Sequence, residues 1–355
     1  VRKELFLDAG LWGWGRNGNG QIGDGTTINK SSPVQVGTSK WTSISASISS
    51  STALRSDGRL FTWGKNTSGQ IGDGTTIDKS SPVQVGTSSW MIVSAGEEFT
   101  TAMTEAGLLY AWGKNNNGQL GDGTTVNKSS PIQIGTSSWA MVAAGRYRVS
   151  ALRSDYTLWC WGLNTYGGIG DGTTIDKSSP VQIGTNLYYT TTTTDSITAA
   201  IRMDGTLWAW GLNSTGQIGD GTTVNKSSPV QIGTSSWSAV SGYIDSTIAV
   251  RQDGTLWTWG YNNVWQLGDT TTASKSSPVQ IGSIAPEYQF NSVSSRDYSY
   301  LAVKSDGALF AWGLNSLGQL GDGTTINKSS PVQIGTSSWT AIACGRSLSA
   351  AIRSD

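Results

Sequence analysis

The chain has 355 residues, with 24 basic and 24 acidic side chains and no histidine. Its zero formal charge gives no electrostatic reason to expect nucleic acid or an anionic membrane as a partner. The absence of histidine removes the commonest general base and the commonest metal ligand, and 46 glycines with 17 tryptophans are typical of a tightly turned, well-packed β protein.

The sequence repeats itself along its whole length. A Trp-Gly dipeptide recurs in steps of 49 residues and, at the last step, of 53 residues. The stretch GQIGDGTTINKSSPVQVGT, at 20–38, recurs with it with few changes and is most altered in the sixth copy, WQLGDTTTASKSSPVQIGS. The seven copies are marked by Trp14, Trp63, Trp112, Trp161, Trp210, Trp259 and Trp312.

The fifth copy illustrates the predicted elements of one repeat. Four short segments with strand-like alternation follow one another: SPVQIG at 228–233, WSAVSG at 237–242, TIAVRQ at 247–252 and TLWTWG at 255–260. Between the last two segments lies the Asp-Gly pair that is typical of a tight hairpin. No helical periodicity occurs, so the repeat is predicted to consist of four strands.

Four strands per repeat of about fifty residues, in seven copies, predict an all-β, seven-bladed β-propeller. We expect residues 1–355 to form one domain, with residues 1–8 as a lead-in. The C-terminal segment 341–355 supplies only part of a repeat, and the N-terminal segment 8–15 supplies what should follow it. A composite blade built from both termini is therefore predicted to close the ring and to remove its exposed sheet edges. The invariant tryptophans are predicted to fill the core.

The motifs LWxWGxNxxGQ(I/L)GDGTT, SSPVQIG and A-(L/I/V)-R-x-DG resemble the repeat of the regulator of chromosome condensation family. The resemblance covers about residues 9–355 and implies the seven-bladed propeller with a composite closing blade. Family members act as nucleotide-exchange factors, enzyme inhibitors, ubiquitin-ligase modules or surface components of bacteria and phages. The phrase DGTTxNKSSPVQIGTSSW is similar to bacterial and bacteriophage members. Where many repeats of the family carry histidine, this chain has Phe99, Arg148 and Ile197.

Near-identical repeats direct attention to the positions at which they differ. Aligned on the Arg of A-(L/I/V)-R, they diverge in a four-residue stretch between two predicted strands, which we call the variable window. The seven windows are residues 47–50, 96–99, 145–148, 194–197, 243–246, 296–299 and 345–348. Exposed aromatic and arginine side chains on loops are typical of protein interfaces, whereas neutral drift of tolerant loops is the alternative. The predicted partner-binding residues are Glu97, Glu98, Phe99, Arg146, Tyr147, Arg148, Asp195, Tyr243, Asp245, Arg296, Asp297, Tyr298 and Arg346.

The repeated GDGTT loop combines glycines with an aspartate, as some ligand sites do, but it is predicted to be a turn. A ring of its aspartates offers one carboxylate per loop, fewer than calcium prefers, and Asp beside Gly favours an Asx turn. The phosphate-binding alternative lacks the helix that a P-loop requires. The lysine that follows each loop is matched by the aspartate, so a basic ring for nucleic acid is not expected. We therefore expect no metal and no cofactor.

The chain also has two irregular segments, one unusual tryptophan and two cysteines. The segments 186–197 and 282–300 depart from the repeat, and Trp265 replaces a glycine, either as an exposed anchor or as a filler of the worn loop. Cys160 and Cys344 form no CxxC pair and are expected to be packing residues. Without histidine or a reactive cysteine, the chain is predicted not to be an enzyme.

The sequence therefore predicts a non-enzymatic platform that binds a protein partner, most specifically a bacteriophage virion or bacterial surface component. The alternatives are a secreted enzyme-inhibitor-type propeller and a small-GTPase exchange factor. No membrane insertion is expected, because no apolar run reaches membrane-spanning length. The chain begins with Val1, which leads us to expect that it is part of a longer protein. The sequence leaves the partner and the oligomeric state open.

Overall fold

The computed structural model describes residues 10–243, 245–282, 289–296, 298–345 and 347–353, and in these ranges the regular structure is entirely β. The predicted lead-in, residues 1–8, lies outside them. None of the described ranges contains a helix long and apolar enough to cross a membrane. The strands are β1 (Gly10–Gly15), β2 (Lys30–Ala46), β3 (Ser50–Arg55), β4 (Leu60–Gly64), β5 (Lys79–Gln84), β6 (Trp90–Ala95), β7 (Phe99–Thr104), β8 (Leu109–Gly113), β9 (Lys128–Gln133), β10 (Trp139–Ala144), β11 (Arg148–Arg153), β12 (Thr157–Gly162), β13 (Lys177–Thr193), β14 (Ile197–Arg202), β15 (Thr206–Gly211), β16 (Lys226–Tyr243), β17 (Ser246–Arg251), β18 (Leu256–Gly260), β19 (Lys275–Ile281), β20 (Phe290–Arg296), β21 (Ser299–Lys304), β22 (Ala308–Gly313), β23 (Lys328–Gly345) and β24 (Leu348–Arg353).

Strands that are consecutive in sequence pair antiparallel, except β5 with β6, β9 with β10 and β19 with β20, and the same four-strand pattern recurs along the chain. In the fifth repeat, the second half of β16 pairs with β17, β17 with β18 and β18 with β19. The last strand, β24, pairs with β1, with Trp12 opposite Ala351 and Trp14 opposite Ser349. Strands from the two ends of the chain therefore lie side by side in one sheet, whose order is β20-β21-β22-β23-β24-β1-β2-β3-β4-β5.

The predicted segments 228–233 and 237–242 belong to one long strand, β16, and not to two strands. The strand changes partners along its length: Gln231 lies opposite Trp208 of β15, whereas Trp237 lies opposite Arg251 of β17. Gly233 takes a positive φ of 59° between these two parts, which bends the chain without ending it. The outer strand of one four-strand unit thus continues directly into the inner strand of the next.

The tryptophans of the Trp-Gly pairs lie in the core, as predicted, and they also link neighbouring units. Each is at most 1% exposed, and its indole N–H donates to the second backbone carbonyl of the GQ(I/L)GD loop of the preceding repeat, which reads GGIGD in the fourth copy and WQLGD in the sixth. Trp112, for example, donates to the oxygen of Gln70 at 3.0 Å. The close approach requires Gly72, because a Cβ atom there would lie 2.5 Å from the indole nitrogen. The same bond joins the chain ends, since Trp14 donates to Gln319 at 3.0 Å.

The repeated GDGTT loop is a self-contained turn, as the sequence predicts. Asp73 accepts hydrogen bonds from the N–H and hydroxyl of Thr75, at 2.9 and 2.7 Å, which makes an Asx turn, and all seven loops share the N–H bond. Lys79 lies 3.3 Å from the second carboxylate oxygen. Burial alone would raise the pKa of Asp73, but the bonds from Thr75 and Lys79 outweigh it and lower the pKa.

The loop carboxylates are thus already engaged within their own turns. All seven loop lysines pair with the aspartate of the same loop, at 3.1–3.8 Å. Among the described residues, no three His, Cys, Asp or Glu side chains cluster as metal ligands would. These carboxylates therefore stabilise the turns of the fold.

Candidate protein-binding face

The variable windows and the residues that follow the Trp-Gly pairs lie at the same end of the strands. The N–H of Lys65 donates to Ser49 of the first window at 2.8 Å, and the N–H of Lys114 donates to Glu98 at 2.8 Å. The outer loops reach the same end, because the hydroxyl of Thr215 donates to the carbonyl of Asp245 at 3.2 Å. We call this end of the molecule the window face.

Two predicted partner-binding residues are not on its surface. Phe99 and Arg148 are the first residues of β7 and β11, and both are buried. Phe99 packs in an apolar cluster with Leu120 and Trp161. The prediction that both side chains are exposed is therefore wrong, because the fourth position of the window already belongs to the strand and its side chain points inward.

The side chain of Arg148 lies beside Gly168, at a position where the other repeats have a different pair of residues. Its Nε donates to the carbonyl of Leu163 at 3.0 Å, and its guanidinium occupies the space beside Gly168, where a Cβ atom would collide with it. The other six repeats all have glutamine at the position of Gly168. Burial lowers the pKa of Arg148 to about 10, so the side chain remains cationic at neutral pH. Its role is packing between the loop and the strand.

Glu98 is the centre of one ion-pair cluster on the window face. Its carboxylate contacts Lys65 and, at 2.8 Å, Lys114, which belong to two different repeats. Burial alone would raise the pKa of Glu98, but hydrogen bonds from Lys114 and Lys65 outweigh it and lower the pKa. Glu98 has a φ of 63°, a left-handed conformation that is unusual for a non-glycine residue. The two lysines hold the carboxylate in place at neutral pH.

Arg146 is the centre of a second cluster, nearer the middle of the face. It contacts Glu97 and lies 2.9 Å from Asp195, so it bridges the second and fourth repeats. Its guanidinium also lies 4.9 Å from the centre of the Tyr147 ring. Burial alone would lower the pKa of Arg146, but the hydrogen bonds that it donates to Glu97 and Asp195 outweigh this effect and raise the pKa. Arg146 also lines a central cavity of about 210 Å³, whose walls carry Ser45 and other small residues of the inner strands.

The remaining predicted residues are only partly within the described structure. Tyr298 packs against Tyr261, with ring centres 6.2 Å apart. Asp297 and Arg346 lie outside the described residues, as do the side chains of Tyr243 and Arg296. Trp265 has a φ of 62° and is 37% exposed, which leaves both of its predicted roles open.

Among the acids of this face that the structure describes, Asp245 is the one whose pKa is raised, and this gives a testable pH dependence. Burial and then repulsion from Asp195 favour its neutral form in the folded state. The folded chain therefore holds this proton more tightly than the unfolded chain, and stability falls as the pH rises from 3.8 through the raised pKa. Asp245→Asn should accordingly stabilise the chain at neutral pH, by up to about 1 kcal/mol for a partly exposed group.

The measurement is urea unfolding of both chains across this pH range. The advantage of the Asp245→Asn variant should shrink as the pH approaches 3.8, where the wild-type carboxyl becomes neutral in both states. Asp306→Asn, in an exposed turn, serves as a control that lacks this acid pair. A stability difference that does not depend on pH would contradict the assignment.

The sequence comparison missed a second variable position, which directly follows each Trp-Gly pair. Aligning the repeats on Trp-Gly instead of on A-(L/I/V)-R would have revealed it. In the first three repeats the residue is basic, and in the others it is apolar or aromatic; these side chains are all exposed or half-buried. The residues are Arg16, Lys65, Lys114, Leu163, Leu212, Tyr261 and Leu314. At this position the window face has a basic half, here called the charged half, and an apolar half; acidic window residues such as Asp245, which lies beside Tyr261, occur in the apolar half.

Comparison with protein families gives six matches to the regulator of chromosome condensation (RCC1) repeat, at residues 8–54, 57–103, 106–152, 204–242, 253–295 and 306–352. A second model of the same repeat matches 41–70 and 92–119. No curated protein sequence matches the chain.

Solved structures share the fold at low sequence identity. The yeast RCC1 protein Prp20, in a structure with Kap60 bound, has a TM-score of 0.87 at 16% identity, covering 99% of this chain and 90% of that one. Human WBSCR16 has a TM-score of 0.87 at 18% identity, and the match covers 98% of this chain and 99% of that one. A structure of Prp20p from Saccharomyces cerevisiae, which is described with its binding to Gsp1p and histones, has a TM-score of 0.86 at 18% identity. This match covers 98% of this chain and 92% of that one.

Proposed function

The chain belongs to the regulator of chromosome condensation (RCC1) repeat family, and we propose that it is a closed, seven-bladed β-propeller whose window face binds a protein partner. In this proposal the chain is a single domain and acts by binding, without catalysis. The observation that carries the proposal is the variation on the window face: the residue after Trp-Gly is basic in the first three repeats and apolar or aromatic in the other four, whereas the GDGTT loops at the same end are nearly identical in six of the seven repeats.

Closure is supported by contacts at the chain ends. Strand β1 pairs with both β24 and β2, so it occupies an interior position in its sheet and not an edge. The Trp14 indole bonds to Gln319 as the Trp63 indole bonds to Gln21, at 3.0 and 2.9 Å. The junction between the first and last repeats therefore resembles the junctions within the chain, as a closed ring requires.

The window face combines the features of a protein interface. Apolar and aromatic side chains such as Leu212, Tyr261 and Tyr298 are half-buried on one side, and Arg146 and Tyr147 form a cation–π pair on the other. Aromatic and arginine side chains dominate the binding energy of protein interfaces. The ion pairs already present on the charged half, around Glu98 and Arg146, hold these side chains in a fixed arrangement before binding.

The cellular context of this partner is part of the proposal. The phrase-level resemblance to bacteriophage and bacterial members supports a virion or surface component, and a secreted inhibitor of an enzyme is the alternative for the same face. A second candidate function, exchange of nucleotide on a small GTPase, is supported by the fold shared with Prp20p, whose structure is described with its binding to Gsp1p.

Photocrosslinking tests the proposed face. A benzoylphenylalanine placed at Tyr147 or Tyr261 should capture a discrete protein in particle or cell-surface fractions of the source. The affinity of the purified partner should then fall about tenfold or more in a Tyr147→Ala/Tyr261→Ala variant, because interface aromatics are common hot spots. The control variant, Met91→Ala, removes an exposed apolar side chain near the start of β6, at the end of the strand away from the window face, and should keep the affinity.

The result also separates the candidates. Unchanged affinity of the tyrosine variant, with an unchanged melting curve, would show that the window face is not the binding surface. Faster release of fluorescent GDP from any member of a panel of purified small GTPases would favour the exchange-factor function instead.

A further inference from the structure

The end of the strands opposite the window face carries a second departure from the repeat. Three exposed apolar side chains lie there, at the junction of the third and fourth repeats: Tyr156, Leu187 and Met203, which are 46, 47 and 49% exposed. We call these three residues the Tyr156 patch. They come from the turn between β11 and β12, from the middle of β13 and from the end of β14.

Backbone contacts bring the three positions together. The N–H of Tyr188 donates to the carbonyl of Tyr156 at 3.0 Å, and the N–H of Met203 donates to that of Leu187 at 3.1 Å. The next junction has the same bonds and shows how close the side chains lie. There, a Cβ atom added to Gly205 would be 3.2 Å from Nε2 of Gln252 and 3.3 Å from Cβ of Ser236.

The other described junctions carry small or polar residues at these positions. The position of Tyr156 is Gly58, Gly107, Gly205, Gly254 and Gly307 elsewhere, and that of Met203 is Ser56, Glu105, Ser154, Gln252 and Ser305. The position of Leu187 is Lys40, Ser89, Ser138, Ser236, Gln289 and Ser338. All three positions have thus become large and apolar at one junction, while their side chains remain exposed to solvent.

Tyr156 also holds an unfavourable backbone conformation. Its φ is 64°, at a position where the other repeats use glycine with φ between 76° and 87°. A bulky side chain in this left-handed region is strained, and such outliers cluster at functional sites. The tyrosine gains little from burial, because nearly half of its surface is exposed. Stability of the fold therefore does not explain why tyrosine replaces glycine.

Two carboxylates flank the patch and indicate the charge of its partner. Asp155 precedes Tyr156 and Asp204 follows Met203; each uses Oδ1 to accept bonds from the next threonine, which lower its pKa. The nearest arginines, Arg153 and Arg202, stack on tryptophan rings at 3.5 Å. Within the described ranges, neither carboxylate forms an ion pair.

We propose that the Tyr156 patch is a docking surface for a partner protein that presents an apolar side chain flanked by lysine or arginine. The apolar side chain packs on Tyr156, Leu187 and Met203, and the basic residues pair with Asp155 and Asp204. This surface lies at the opposite end of the strands from the window face and is independent of the function proposed for that face.

The test uses random peptides displayed on phage, selected on the full-length chain. The patch variant, Tyr156→Gly/Leu187→Ser/Met203→Ser, restores residues that other repeats carry and should fold at least as well. The control variant, Ile175→Ser/Val224→Ser/Ile326→Ser, removes exposed apolar side chains from loops at the window face. Selected peptides should carry an aromatic or aliphatic residue beside lysine or arginine.

We expect these peptides to bind the patch variant about tenfold more weakly than the wild type and to bind the control variant normally. Asp155→Asn/Asp204→Asn should also weaken binding and reduce its salt dependence. Equal binding to the patch variant, or selected peptides without basic residues, would overturn the proposal. Self-association of the wild type in sedimentation experiments that the patch variant abolishes would overturn it as well, because the occupant would then be a second copy.

Discussion

Trp14→Ala is expected to destabilise the folded chain by about 3–5 kcal/mol, the usual effect of truncating a fully buried large aromatic residue. Trp14 is 0% exposed, its indole donates to Gln319, and its ring lies 6.1 Å from that of Trp339. All these contacts join the first strand to the last repeats. The loss therefore measures how strongly the chain ends hold each other, against a total stability of about 5–15 kcal/mol for typical domains.

Trp63→Ala is the matched control, because Trp63 makes the equivalent bond to Gln21 at a junction within the chain. In a closed ring the two variants should lose similar amounts of stability in urea unfolding. Trp12→Phe, which introduces the aromatic residue found at Phe61 and Phe310, should have a small effect. Closure would be contradicted if Trp14→Ala lowered the free energy of unfolding by less than about 1 kcal/mol while Trp63→Ala lowered it by about 3–5 kcal/mol. The junction of the chain ends would then be frayed.

The strands could be predicted because the signals that specify them are local and repeated. Alternating apolar residues, the Asp-Gly turn and the invariant tryptophan each recur in register with the others, so one misread copy is corrected by its neighbours. The join of 228–233 and 237–242 into β16 was not predictable in this way. In the folded chain the pairing of this strand passes from β15 to β17 along its length, which no local pattern in the sequence specifies.

The site was predicted less completely, for two physical reasons. Side chains alternate between faces along a strand, so an error of one residue at the strand boundary placed Phe99 and Arg148 outside when they are inside. The ion pairs of Glu98 involve Lys65 and Lys114, which a comparison restricted to the window does not include. The Tyr156 patch joins three separate segments, and only the folded register shows that they adjoin.

Arg148 and Gly168 are expected to depend on each other strongly. Gly168→Gln introduces the residue of the other repeats, but its side chain would enter the space that the Arg148 guanidinium occupies. Overpacking of this kind usually costs about 1–3 kcal/mol. The pair lies twenty residues apart, and at the same spacing the chain has Ser50 with Gln70, Ser246 with Gln266 and Ser299 with Gln319. Glutamine is therefore compatible with serine at this site, and arginine requires glycine.

A double-mutant cycle measures this dependence. Arg148→Ser alone leaves a cavity beside Gly168, Gly168→Gln alone forces a clash, and the double variant recreates the serine–glutamine pair of three other repeats. The double variant should unfold close to the wild type in urea, with a coupling energy of about 2–3 kcal/mol, near the upper end for residues in contact. Removal of the buried cation adds to its stability, because Nη1 of Arg148 has no partner. Additive effects of the two substitutions would mean that the arginine and the glycine occupy independent sites, and that the loop at Gly168 owes its conformation to its own turn alone.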